Sequence, residues 1–334
     1  MVPAIAVADA LRAEGAQVSF VGGQRAEAEL VPAAGYPLDP IRVEGLSRTN
    51  PLKAIRAAGK ATLALRTATA ILRRRAADAV LGGGGYVAGP VGLAAVLARV
   101  PLVLTEADSH LGLTNRLLAP RARRICLAFP IVGRERERYL VTGRPVPAHD
   151  PDRAAARGAL GIGSDERCVL VFGGSLGARS VNHAAVAAFA DAPYRVLHIA
   201  GRRDVGDLRA PGAHYDLRDY LDPFGQALAA ADIAVARAGG SIFELAQYGL
   251  PAVLVPYPHA TADHQTDNAR WMHEGGAAVV LADDELTPER LRAVVDAILL
   301  DPERLAGMAA AAARLARPDA ARDVARAVLA AASA

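Results

Sequence analysis

Five segments of this chain gather residue types that can hold or activate a polar ligand. Val169-Leu170-Val171-Phe172 runs into Gly173-Gly174-Ser175-Leu176-Gly177-Ala178-Arg179, a strand entering a glycine-rich turn and then a helix. Glycines let a backbone approach a ligand closely, and a helix N-terminus offers free N–H groups and a positive dipole end to phosphate. Ser175 adds a hydroxyl donor. The turn is neither a P-loop, lacking the Gly-Lys-Ser/Thr ending, nor the spaced dinucleotide fingerprint. A tight turn with no ligand is the alternative reading. Arg237-Ala238-Gly239-Gly240-Ser241-Ile242-Phe243-Glu244 repeats the arrangement after a second strand, with Glu244 about one turn into the helix. A carboxylate there can accept two hydrogen bonds from a ribose diol while the helix start faces a diphosphate; a first-turn Glu also complements the dipole with no ligand at all. Two such turns at strand C-terminal ends point to a nucleotide crevice.

Three further segments add polar chemistry. Pro256–Asn268 concentrates His259, Asp263, His264, Gln265 and Asn268 after another strand. Hydroxyl recognition suits these amide and imidazole groups better than a metal, because no zinc spacing is present; Asp263 also reads as a helix cap. Gly82-Gly83-Gly84-Gly85-Tyr86-Val87-Ala88-Gly89-Pro90 places four glycines in a row. Their conformational cost is best explained by close backbone approach to a ligand. Thr105-Glu106-Ala107-Asp108-Ser109-His110 gathers two carboxylates and an imidazole, acid/base candidates that an ordinary polar loop would resemble.

Short β-branched runs alternating with Ala/Leu/Arg helices must position these segments, the pattern of βαβ units and parallel sheets. The expected strands are Val18–Val21, Ala79–Leu81, Leu102–Thr105 and Ile125–Phe129, then Cys168–Phe172, Arg195–Ile199, Ile233–Ala236, Ala252–Val255 and Ala278–Leu281. From about Pro288 to Ala334 the chain reads as helix, broken at Arg317-Pro318. The proline-rich stretch Gly143–Pro147 reads as a linker. The domain division is therefore 1–147, 148–316 and a C-terminal helix, 317–334, expected to return to the first domain. A doubly wound half normally opens on a strand, whereas this chain opens inside a helix with Pro3 in its first turn. The expectation is a first domain short of roughly 10–15 residues, one strand and its turn, and the DNA upstream of Met1 decides between a start codon placed too late and a truncated chain; a sheet that simply closes up is the alternative.

Composition sets outer limits. The chain has 334 residues with 52% hydrophobic and 22% charged, enough for two packed domains and incompatible with wholesale disorder. Aromatics at 4% argue against a stacking platform for nucleic acid. The net charge of +3 permits an anionic membrane or phosphorylated substrate without requiring either. Lys53, Arg56 and Lys60 share a helical face beside apolar residues, either a membrane-docking surface or a solvated helix. Cys126 and Cys168 each sit in an apolar run and read as buried thiols of a cytosolic protein. No apolar stretch approaches the roughly 18–20 residues of a membrane span.

Taken together, GGGGYVAGP (82–90), GLTN (112–115), GGSLGAR (173–179), RAGGSIFEL (237–245) and HATADHQTDNA (259–269) resemble the MurG family along nearly the whole chain. The resemblance implies a GT-B, α/β fold: two doubly wound Rossmann-like domains facing a central cleft. It implies an inverting, metal-independent hexosyltransferase with no cofactor, moving N-acetylglucosamine from UDP-N-acetylglucosamine to lipid I to give lipid II in peptidoglycan synthesis. The place of action would be the cytoplasmic face of the cell membrane, peripherally, against its anionic inner leaflet. Carried over by position, Gly173, Gly174 and Ser175 lie near the diphosphate, with the Gly239, Gly240 and Ser241 turn opposite. Glu244 takes the ribose hydroxyls, the Leu221 backbone reads uracil, and His264, Gln265 and Asn268 contact sugar and ribose. Gly84, Gly85, Tyr86, Glu106, Asp108 and Asn115 fall on the acceptor side. The family's GGTGGH-like turn, with the histidine often proposed as base, has no counterpart here, so the base is unassigned, with Glu106 and Asp108 as candidates. The acceptor loop reads Thr105-Glu106-Ala107-Asp108 where the family has His-Glu-Gln-Asn. Pro147 replaces an expected arginine, and the RAGG turn is one residue short before Glu244. Two alternatives follow: a related GT-B transferase moving another UDP-sugar to a lipid or glycoside, or a catalytically silent truncated homologue that binds UDP.

Overall fold

The alternation of apolar strands and Ala/Leu/Arg helices folds into elements in the order α1 (Val2–Ala13), β1 (Phe20–Gly22), α2 (Ala26–Ala33), β2 (Leu38–Pro40), α3 (Pro51–Arg74), β3 (Val80–Gly82), α4 (Gly85–Ala98), β4 (Leu102–Glu106), α5 (Leu113–Leu118), β5 (Arg124–Leu127) and β6 (Tyr139–Val141). There follow α6 (Arg153–Ala159), β7 (Cys168–Phe172), α7 (Arg179–Ala188), β8 (Arg195–Ile199), β9 (Tyr215–Arg218), α8 (Gly225–Ala230), β10 (Ile233–Ala236), α9 (Ile242–Gln247), β11 (Ala252–Leu254), α10 (His264–Glu274), β12 (Ala278–Val280), α11 (Pro288–Leu299), α12 (Pro302–Leu315) and α13 (Ala320–Ala332). The computed structural model describes residues 1–24, 26–41, 51–147, 152–174, 177–260 and 263–333, and for residues 51–61 and Tyr86 the backbone alone.

The elements gather into two units, Ala148–Ala316 and Met1–Pro147 with Arg317–Ala334. In the second unit six strands form one parallel sheet in the order β12-β11-β10-β7-β8-β9. Every residue of β7, β10 and β11 is buried, as a parallel strand covered by helices on both faces requires. Val171, Val196, Val235 and Val253 pack with Val181, Leu291 and Val295 of α7 and α11 on one face. Helix starts are fixed locally: Thr287 and Asp301 accept the first-turn N–H groups of Arg290 and Arg304.

In the first unit β3-β4-β5-β6 form a four-stranded parallel sheet, while β1 and β2 form a separate parallel pair. Among the described residues no ladder joins β1 to β3. Helix α13 packs on α1, where Val324 and Val328 share a buried cluster with Val7, Leu11, Val103 and Cys126. Both cysteines are buried and unbridged, and burial pushes each thiol up to about 12. Among the described residues no helix is long and apolar enough to cross a membrane.

Candidate functional site

Strand order in the second unit places its two glycine turns side by side. From β7 the chain runs outward to β8 and β9, then crosses back to β10 on the other side of β7. The order therefore reverses between β7 and β10, and open α/β sheets bind ligands outside the carboxyl ends of strands at such a point. Val171 pairs with Val235 and Phe172 with Ala236, so Gly173 and Arg237 leave the sheet together. A Cβ on Gly173 would fall 2.4 Å from the Ala178 Cβ and 2.5 Å from its nitrogen, so only glycine lets the turn close. Gly174 and Gly177 have φ of +92° and +82°, and the Gly177 N–H donates to the Gly174 carbonyl at 2.9 Å. Ser175 lies outside the described residues.

A buried polar chain supports this turn from below. The Asn182 Nδ2 donates to the Ala200 carbonyl at 2.9 Å and to Asp204 Oδ2 at 3.2 Å. Its Oδ1 then faces the Nε2 of His198 at 3.0 Å, and the Nδ1 of His198 lies 2.8 Å from the Tyr215 hydroxyl. With both amide hydrogens committed, the proton must sit on Nε2, and Nδ1 accepts from the tyrosine. Arg203 pairs with Asp204 at 2.8 Å and holds its carboxyl below the usual carboxylate range. His198 is fully buried, and burial depresses its imidazole from 6.5 to about 4. The unfolded chain therefore takes up a proton at higher pH than the folded one. Stability should be full above pH 6.5 and should fall as pH drops toward about 4, by on the order of 3 kcal/mol. Urea unfolding at pH 7.5, 5.5 and 4.5 measures this, and His198→Gln should flatten the profile over that interval.

The second turn is tied to the Pro256–Asn268 segment. Asn268, on α10 and buried, donates from Nδ2 to the Ala238 carbonyl at 2.9 Å, and its Oδ1 is a buried acceptor with no partner among the described residues. The Gln265 Oε1 accepts the Tyr257 N–H at 2.9 Å. Asp263 precedes α10 with a left-handed φ of +54° and makes no side-chain cap; it accepts the Thr266 hydroxyl at 2.7 Å instead. Asp263 thus stands at the expected N-cap position, with its carboxylate on the Thr266 hydroxyl and not on a first-turn N–H. Gly239, Gly240 and Ser241 lead into α9, with Glu244 half-buried in its first turn and His264 opening α10. Leu221 is buried just before Phe224, whose ring meets that of Phe172 edge-on at 5.0 Å. That contact sets the segment carrying Leu221 beside the Gly173 turn.

In the first unit the glycine run and the carboxylate loop meet. Gly84 and Gly85 have φ of +76° and +77°, and the Gly85 carbonyl accepts the Thr114 hydroxyl at 3.0 Å. The Tyr86 side chain lies outside the described residues. Glu106 is buried and its carboxylate accepts four N–H donors: Ala107 at 3.0 Å, Asp108 at 3.3 Å, Gly112 at 2.8 Å and the Asn115 Nδ2 at 2.9 Å. Such a carboxylate holds its loop together. Asn115 is buried too; its Nδ2 also donates to the Thr105 carbonyl at 2.9 Å, and it borders Gly84. Asp108 is half-buried in the same loop. Asn182, His198 and Asp204 belong to none of the five polar segments. The one available signal was a histidine inside the apolar strand RVLHI.

Residues 1–127 match the glycosyltransferase family 28 N-terminal domain and residues 168–324 the family 28 C-terminal domain. The UDP-N-acetylglucosamine–N-acetylmuramyl-(pentapeptide) pyrophosphoryl-undecaprenol N-acetylglucosamine transferase of Salinibacter ruber is 44% identical over 347 residues, covering 98% of this chain and 92% of its own. The enzyme of the same name from Moorella thermoacetica is 40% identical over 350 residues, covering 98% and 94%. Among solved structures, Acinetobacter baumannii MurG superposes with a TM-score of 0.80 at 29% identity, covering 98% of this chain and 95% of that one. The calicheamicin glycosyltransferase CalG4, at 21% identity and a TM-score of 0.70, shares the fold.

Proposed function

The chain belongs to the MurG family of family 28 glycosyltransferases, and on that footing we propose that it transfers N-acetylglucosamine from UDP-N-acetylglucosamine to lipid I, giving lipid II. The observation that carries the donor half is the pairing of two glycine turns across the β7–β10 reversal. In this reading the Gly173–Gly174 turn and the start of α7 hold the diphosphate, Glu244 takes the ribose hydroxyls, the Leu221 backbone reads uracil, and the start of α10 meets the sugar. Chemistry is a single displacement. The acceptor hydroxyl oxygen bonds to the anomeric carbon as the bond to the β-phosphate oxygen breaks, inverting that carbon. The hydroxyl proton passes to a base, and the charge growing on UDP is met by backbone N–H groups. With Glu106 spent on its loop, Asp108 is the carboxylate of that segment left to take the proton.

The acceptor reading is tested by offering lipid I and diacylglycerol in parallel and measuring UDP release. Release with lipid I supports it; release with diacylglycerol alone favours the related-transferase alternative.

A lipid-linked acceptor calls for a membrane surface, and the first unit has exposed leucines in a group of packed helices. α4 carries no charged residue on any side, yet Leu93 and Leu97 are exposed, as are Leu113 and Leu117 on α5 and Leu63 on α3. Arg66 and Arg116 are exposed on the same helices. We read this as a peripheral docking face for the anionic inner leaflet. The side chains of Lys53, Arg56 and Lys60 lie outside the described residues. Leu117→Glu should weaken cosedimentation with phosphatidylglycerol vesicles by about tenfold and leave UDP binding intact.

A further inference from the structure

One side chain in the second unit, itself just past β10, reaches the segments that follow three other strands. Arg237 leaves the end of β10 and is 8% exposed. Its Nη1 donates to the carbonyls of Val255 at 3.2 Å and Pro256 at 3.1 Å, just past β11. The same nitrogen lies 2.6 Å from Asp283 Oδ1, past β12. Its Nη2 donates to Ser180 Oγ at 2.7 Å, at the start of α7 past β7, and that hydroxyl donates onward to Asp283 at 2.7 Å. The guanidinium also lies over the Tyr257 ring, 5.4 Å from its centre.

We propose that Arg237 is a positioning residue for the donor site, fixing the spacing of the turns after β7, β10 and β11 through this one guanidinium. The inference rests on reading those turns as the UDP-sugar site. Its backbone opens the Ala238-Gly239-Gly240 turn, whose Ala238 carbonyl is pinned from the other side by Asn268. Any shift of the Arg237 side chain therefore moves the turn relative to the start of α7 and to the Tyr257–Gln265 segment. Asp283 balances the buried charge, so the cluster is an ion pair with its remaining donors placed on carbonyl and hydroxyl oxygens. Lysine carries the same charge as a single point and cannot span these acceptors at once.

The test compares Arg237→Lys and Arg237→Ala with the unaltered chain by calorimetric binding of UDP-N-acetylglucosamine, by KM and kcat, and by Tm. Both variants should raise the KM for the donor by roughly tenfold to a hundredfold and leave the KM for the acceptor unchanged. Millimolar guanidinium added to Arg237→Ala should bring the donor KM part of the way back. A lowered Tm with an unchanged donor KM would overturn the proposal, since it would reduce the cluster to a fold contact. Should Arg237→Ala fail to fold, Ser180→Ala and Asp283→Asn each remove one contact. Donor KM unchanged in both folded proteins would overturn the proposal equally. Failure of the unaltered chain to bind UDP-N-acetylglucosamine would overturn the donor reading itself and this inference with it.

Discussion

Gly177→Ala should lower kcat/KM for the donor by about a hundredfold or more and destabilise the second unit by about 2–5 kcal/mol. The residue holds a φ of +82°, and its new Cβ would lie 2.3 Å from the Ala200 carbonyl oxygen and 2.7 Å from Asp204 Oδ2. Neither oxygen can give way cheaply, because both are held by the Asn182 amide. The turn must therefore open, carrying Gly174 and the start of α7 away from the place proposed for the diphosphate. Thermal unfolding should report a Tm lower by roughly 5–15 °C. Gly239→Ala is the informative contrast. A Cβ there meets nothing within 4 Å, and its φ lies in the ordinary range. Its Tm should stay where it is, so a raised donor KM would report contact with the ligand and not a damaged turn.

Glu244→Ala should raise the KM for UDP-N-acetylglucosamine by roughly a hundredfold while kcat changes little. In the proposed site, two charge-assisted hydrogen bonds to the ribose diol would be lost, each worth about 1.5–3 kcal/mol, partly replaced by water. Glu244→Gln keeps one good acceptor and should fall between. The decisive comparison uses a 2′-deoxyribose donor. The unaltered chain should discriminate against it, and Glu244→Ala should not. Equal discrimination by both would take Glu244 out of ribose recognition.

Much of the second unit was legible in the residues themselves, because its central strands are buried on both faces. Cys168–Phe172, Arg195–Ile199 and Ile233–Ala236 are continuous or near-continuous apolar runs and fold over the expected bounds. The strands that escaped notice are short and sit at sheet edges: Leu38–Pro40, Tyr139–Val141 and Tyr215–Arg218. An edge strand pairs on one side only, so it carries polar residues and even a proline, and apolar patterning is silent about it. The helical tail divides further at Asp301-Pro302, where the aspartate caps α12 and proline begins it. The glycine turns were legible as tight turns, because Gly173 leaves no room for a side chain and Gly174 and Gly177 hold left-handed backbone. The residues beneath them were not. Asn182 lies on α7 while His198 and Asp204 lie on and after β8, and it is the packing of these elements that brings them together beneath Gly177. The loop-holding part of Glu106 was hidden for a related reason: its four N–H donors come from residues up to nine positions on, brought back by the turn after β4.

The central claim is that this chain moves a sugar from a nucleotide to a lipid-linked acceptor. It is tested most directly by supplying UDP-N-acetylglucosamine labelled in the sugar together with lipid I in phosphatidylglycerol vesicles. The account predicts that label enters the lipid fraction with one UDP released for each sugar transferred. Binding of the donor with no label in lipid, or label recovered only as free N-acetylglucosamine, would contradict it.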